Sequence, residues 1–225
     1  MKKDILFILF ILLIFLPFIL IPELYAWYLQ FNADHALIMA FLKFGILATA
    51  GEMLGLRIKT GNYNEKGFGI LPRAIVWGVL GMGISMAMTI FSKGTPAFLA
   101  SMGLDILSED FFIRLLVAFS ISVTMNCFFA PVFMTFHKIT DMHILDTGGT
   151  VKGFFSKAIN MAQSFKNINW DVQWGFVFKK TIPFFWFPAH TITFMLPGEF
   201  RVLFAALLGV ALGIILSIAA VKGRK

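Results

Sequence analysis

Trp186, His190, Thr193, Pro197 and Arg201 follow one another at intervals of four, three, four and four residues. On a continuous helix of about 3.6 residues per turn they form one stripe, polar and aromatic within an otherwise apolar stretch. An imidazole, a hydroxyl and a guanidinium aligned in this way offer donors and a cation to a passing solute. They serve equally as an interhelical hydrogen-bond ladder that only specifies packing, and the spacing leaves both readings open. Glu52 shares a helical face with Gly45, Ala48 and Gly55, which turns its carboxylate toward the interior, where it needs a partner. Arg73, at the start of the next apolar segment, is the expected one. Asn126, five residues before Pro131, is expected to face the same interior. Lys43 lies about half a turn around the helix from Glu52 and is expected to reach toward headgroups instead.

Catalytic patterns are absent from the sequence. It contains no H-E-x-x-H, G-x-S-x-G, C-x-x-C or Walker loop, and Lys59-Thr60-Gly61 is too short to count as one. The single cysteine, Cys127, reads as a small filler among phenylalanines. No spacing supports pairing it with His190. His35, His137 and His143 are expected at span ends or in loops, solvated rather than holding a metal. The expectation is no enzyme, no metal and no cofactor.

The elements that must position these residues follow from composition. Of 225 residues, 59% are hydrophobic and 14% charged, against roughly 25% charged in soluble domains. With 28 Phe and a mean hydropathy of +0.84, a soluble domain, a disordered chain and a disulfide scaffold are all excluded. Apolar segments at 5–22, 36–57, 71–92, 111–136, 176–196 and 202–221 predict an all-α, polytopic membrane helix bundle of about six membrane helices. One or two interfacial amphipathic helices accompany them, at 151–166 and 95–107. Residues 1–30 are expected to form an additional N-terminal membrane helix, retained rather than cleaved and leading into an aromatic belt at Tyr25, Trp27 and Tyr28. Residues 31–225 form a single membrane helix-bundle domain.

Alternating six spans from an N-terminus in the cytoplasm puts nearly all Lys and Arg on that side, from Lys2 and Lys3 through Arg57, Arg73 and Lys138 to Lys222, Arg224 and Lys225. Only Lys93, Arg114 and Arg201 fall at the opposite ends. Both termini are therefore predicted cytoplasmic. The formal net charge of +7 is topological, and no basic face remains for nucleic acid. The expected partner is the lipid bilayer, with anionic lipid at the 151–166 helix or else simple packing of that helix on the bundle. A homo-oligomer is left open. Helices in a bilayer associate by close backbone approach, so Gly51 with Gly55, Gly83 with Ala87 and Gly209 with Gly213 mark expected interfaces. Pro131, Pro183 and Pro188 are expected to bend their spans.

Together these positions resemble the Mpv-seventeen and twenty-two-kilodalton peroxisomal membrane protein family. Its C-terminal pattern runs W-x-x-x-Q-x-x-N-F, then a proline, an arginine four residues on, and a Leu-Ser pair fifteen and sixteen beyond that. Here it is met by Trp186, His190, Thr193 and Phe194, with His and Thr in place of Gln and Asn, then by Pro197, Arg201, Leu216 and Ser217. Gly51-Glu52 resembles the family's Gly-Asp pair, and Arg73 with Gly81 its Arg and Gly eight apart. Asn126 before Ala130-Pro131 resembles its Asp-Gln preceding Ala-Pro, with Met125 where the Asp would stand. The aromatic Trp-Tyr pair expected after the third helix is missing, and the N-terminal span is additional. The resemblance covers roughly residues 36–220. It implies a multi-span protein of organellar or bacterial membranes that passes small metabolites with little selectivity. The N-terminus lacks an Arg-rich presequence, which favours a bacterial cytoplasmic membrane over an organellar one.

Two functions follow as expectations. One is a small pore or facilitator for small polar or anionic solutes, with Glu52 and Arg73 as a charged constriction. Asn126, Trp186, His190, Thr193 and Arg201 then line the path or form a polar interior. The alternative is a non-transporting membrane organiser or accessory subunit.

Overall fold

A computed structural model describes residues 2–222, the side chains of 219, 220 and 222 excepted. The basic residues Lys222, Arg224 and Lys225 used for topology thus lie outside the described side chains. The chain is helical throughout, with no strand among the described residues: α1 Lys2–Leu20, α2 Pro22–Asp34, α3 Ala36–Thr60, α4 Ile70–Ser101, α5 Phe111–Phe128, α6 Ala130–Asp146, α7 Val151–Ser156 and α8 Met161–Asn167. The short α9 Trp170–Val172 runs into a π-helix, Gln173–Trp186, which continues as α10 Phe187–Met195 before α11 Gly198–Lys222. Five helices, α1, α3, α4, α5 and α11, are long and apolar enough to cross a membrane.

Local chemistry sets the boundaries. Ile21 is extended (φ −117°, ψ 96°), so α1 stops there and α2 begins on Pro22, whose missing N–H costs nothing in a first turn. The aromatic belt Tyr25, Trp27 and Tyr28 accordingly lies on a separate helix. α3 ends at Gly61 in the left-handed region (φ 84°). The Asp110 carboxylate accepts from the Phe112 and Ile113 N–H groups and starts α5.

Several segment boundaries expected from hydropathy are corrected. The 111–136 span divides at Phe129, because Pro131 cannot donate to the preceding turn, and α6 continues α5 beyond the break. The 95–107 segment is not an interfacial helix: α4 runs through Pro96 to Ser101, and the chain then turns at Gly103 (φ 92°). The 151–166 helix is two pieces, since the Asn160 side chain accepts from the Gln163 N–H and caps a new start. The 176–196 span is half π-helical. Pro183 donates no hydrogen bond to the preceding turn, and four residues on the Phe187 N–H reaches back five residues to the Ile182 carbonyl.

The packing order is a closed ring. α3 lies against α4, α4 against α5, α5 against α10, α10 against α11, and α11 against α3. Its interior is filled by Phe44, Leu47 and Ala48 of α3, Ala87 and Met88 of α4, Ile121 and Met125 of α5, Phe194 of α10 and Ala206 of α11. Glycines allow the close crossings. A Cβ at Gly81 would lie 2.5 Å from Phe44, one at Gly51 3.0 Å from the Val210 Cα, and one at Gly55 2.9 Å from the Ser217 hydroxyl. Gly83 and Gly209, expected at interfaces, meet nothing within 4 Å, so neither marks a crossing.

α1 stands outside the ring with no buried residue. Its ends are pinned. Arg57 donates to Asp4 at 2.7 and 3.0 Å, the Tyr63 hydroxyl donates to Asp4 at 3.2 Å, and Phe7 stacks on Tyr63 at 4.7 Å. Burial, followed by the nearby Asp4 carboxylate, pushes the Tyr63 phenol up. At the other end Phe18 meets Tyr28 edge-on at 5.3 Å. Lys43, expected to reach headgroups, is instead buried under α2: it donates to the Asn32 side-chain Oδ1 at 2.5 Å and lies 5.1 Å from the centre of the Tyr28 ring. A helix folded back over α3 thus supplies the ammonium's partners. Cys127, expected among phenylalanines as filler, is exposed.

Candidate functional site

The two ends of the ring differ. At the end that also holds Asp4 and Arg57, three helices converge on one guanidinium. Arg73 Nη1 donates to Glu52 of α3 at 2.5 Å and to Asp141 of α6, while its Nε donates to the Phe68 carbonyl at 2.7 Å. The guanidinium carbon lies 4.4 Å from the centre of the Phe68 ring. Trp77 donates its indole N–H to Glu52 Oε1 at 2.9 Å, and His137 Nε2 donates to the same oxygen at 3.2 Å. Trp77 and His137 touch, with ring centres 4.4 Å apart. The Arg73 side chain is only 6% exposed. The space among Arg73, Trp77, His137 and Asp141 leaves no room for a water molecule.

The Glu52–Arg73 pair stands as the sequence led us to expect. Trp77, His137 and Asp141 were missed. Trp77 lies one turn beyond Arg73, and His137 and Asp141 are likewise four apart on one face of α6, a signal hidden by ending the fourth span at 136. His137 is therefore not a solvated loop histidine. Nor is His143, which is buried and donates Nε2–H to the Phe154 carbonyl at 3.0 Å.

Trp186 and His190 stack with ring centres 5.0 Å apart and planes at 17°. Both Trp186 Nε1 and His190 Nδ1 are buried and lack a hydrogen-bond partner among the described residues. Thr193 donates to the Ala189 carbonyl at 2.9 Å and is fully buried. Asn126 donates to the Ser122 carbonyl at 2.8 Å. Ser122 in turn donates to the Phe187 carbonyl at 2.8 Å, tying α5 to the point where the π-helix relaxes into α10. His190, Thr193 and Asn126 therefore sit in the polar interior of the wall. The stripe is not continuous, because the chain is extended at Leu196 (ψ 154°) and the helix restarts at Gly198. Arg201 spans that break, donating to the Leu196 and Phe194 carbonyls at 3.0 and 3.1 Å.

Arg201 also lines a cavity of about 440 Å³ at the opposite end of the ring from Arg73. Arg114 of α5 enters the same space, and Val117, Ile121, Phe194 and Met195 form its apolar wall. The ring thus carries a vestibule at one end, an apolar core in the middle and a close-packed ion-pair cluster at the other end.

No protein-family model, curated protein or solved structure matches the chain. What fold and composition define is a class: a multi-pass helical membrane protein, built on five helices of membrane-crossing length and a sixth, segmented helical run.

Proposed function

We propose that the protein is a small facilitator for small polar or anionic solutes, captured in a closed state. The observation that carries the reading is the asymmetry of the ring, with an arginine-lined vestibule at one end and a close-packed, charge-neutralising cluster at the other. A solute entering beside Arg114 and Arg201 would meet the Ile121 and Phe194 plug. It could leave only after Arg73 released at least one of its carboxylates. The resemblance to the Mpv-seventeen family supports the same reading; the bias of Lys and Arg toward one end supports cytoplasmic termini, and the proposal places the protein in a bacterial cytoplasmic membrane.

The test is solute flux through purified protein in liposomes or planar bilayers. Losing a charge-assisted hydrogen bond costs about 1.5–3 kcal/mol, so Glu52→Gln is expected to favour the open state by roughly ten- to a hundredfold and to raise flux. His190→Leu, which alters the wall and not the cluster, is expected to change flux less. Equal flux in both variants and the parent removes the cluster from the mechanism, and no flux in any of them ends the facilitator reading.

One observation favours a second reading, a non-transporting organiser or accessory subunit: the interior between vestibule and cluster is packed with buried apolar side chains. Impermeable liposomes together with a stoichiometric co-purifying partner would select it.

A further inference from the structure

The vestibule is charged in a way that packing does not require. Of its lining residues two are arginines and none is a carboxylate. Arg201 spends two donors on backbone carbonyls, and a guanidinium has five N–H groups, so three remain for the cavity. Arg114 makes no side-chain hydrogen bond or ion pair among the described residues. None of the nearby carboxylates, Asp105, Glu109, Asp110 or Glu199, lines the cavity. Asp105 accepts from the Leu107 N–H and Asp110 from those of Phe112 and Ile113. Glu199 acts on Arg201 electrostatically without pairing with it or lining the cavity.

Arg201 and the exposed Arg114 both border this space, and guanidinium forks match the oxygens of a phosphate group, which each can hold by two parallel N–H donors. The remaining wall is Val117, Ile121, Phe194 and Met195, which calls for an apolar or organic body on the same ligand. A volume of about 440 Å³ falls within the range of roughly 300–1,000 Å³ typical of small-molecule pockets and exceeds what a bare inorganic anion fills.

We propose that this vestibule binds a phosphate ester, its phosphoryl oxygens held between Arg114 and Arg201 and its carbon body against the Ile121 and Phe194 wall. The ligand is either a water-soluble organic phosphate or the headgroup of a membrane lipid, since both present the same group. The inference deepens the facilitator reading by naming its ligand class, yet binding requires no flux.

Isothermal titration of the purified full-length protein in neutral detergent tests it with four probes: glycerol 3-phosphate, dihexanoyl phosphatidic acid, inorganic phosphate and hexanoate. Saturable binding of glycerol 3-phosphate alone supports a soluble ligand. Binding of dihexanoyl phosphatidic acid alone supports a lipid, and binding of both supports the shared chemistry. In each case Arg114→Gln and Arg201→Gln are expected to weaken binding at least tenfold, and Arg114→Lys less than Arg114→Gln. Arg201→Gln also loses a helix-end contact, whereas Arg114→Gln removes no protein contact, so the latter decides if the former misfolds. The proposal is overturned if neither ester binds saturably, if Arg114→Gln binds as the parent does, or if inorganic phosphate or hexanoate binds as tightly as the esters. Binding without flux leaves this site standing and removes the facilitator, and flux without binding does the reverse.

Discussion

Arg73 holds carboxylates from two different helices through one guanidinium nitrogen, while Glu52 takes further donors from Trp77 and His137. Such networks balance a large desolvation cost against close contacts, and removing the single cation leaves two carboxylates unneutralised. We expect Arg73→Met to lower stability by about 3–5 kcal/mol, read as a fall in the thermal midpoint in detergent. Neutralising all three groups, Arg73→Met with Glu52→Gln and Asp141→Asn, should recover most of that loss. A triple variant as unstable as Arg73→Met alone would show that the charges are not what the arginine serves. At this scale Glu52 and Arg73 were legible, because an inward carboxylate one helix away from a basic residue has few alternatives. Asp141 was not: it stands in a polar stretch where a carboxylate ordinarily meets water, and only the continuation of α6 past Pro131 brings it in.

At the scale of elements, apolar length located the helices, and Pro131 and Pro183 marked two places where they depart from a continuous α-helix without showing the form of the departure. Pro131 in the first turn of α6 and Pro96 inside α4 look alike in sequence, yet one ends a helix and the other does not. The π-helical stretch was equally hidden, since the residue types of 173–186 do not distinguish i to i+5 bonding from an ordinary helix. Glycines show the same limit. Gly81 and Gly83 are indistinguishable by type, but only Gly81 faces α3. Gly81→Leu is therefore expected to destabilise the α3–α4 crossing by about 1–3 kcal/mol, the usual cost of overpacking, and Gly83→Leu, whose Cβ meets nothing within 4 Å, to cost less than about 1 kcal/mol. Comparable midpoints for the two variants would mean that the crossing is not as close as described.

For the whole molecule, the ring order of α3, α4, α5, α10 and α11 was beyond the sequence, because neighbours in a bilayer are chosen by surface fit rather than by hydropathy. The distribution of charge carries a proposal for which end faces the cytoplasm. The turn at Asn62 lies at the same end as Asp4, and the turn at Ser108 follows the far end of α4. In a Cys127→Ser background, a membrane-impermeant thiol reagent applied to intact cells should label Ser108→Cys and spare Asn62→Cys. The opposite pattern would invert the proposed orientation. Arg73 bears finally on how the chain is made. Its partner Glu52 precedes it by 21 residues and Asp141 follows by 68. During synthesis the α3–α4 hairpin can therefore enter the bilayer with its two opposite charges already joined, so that neither is inserted alone. Asp141 arrives last, as a bolt drawn across a hairpin already in place.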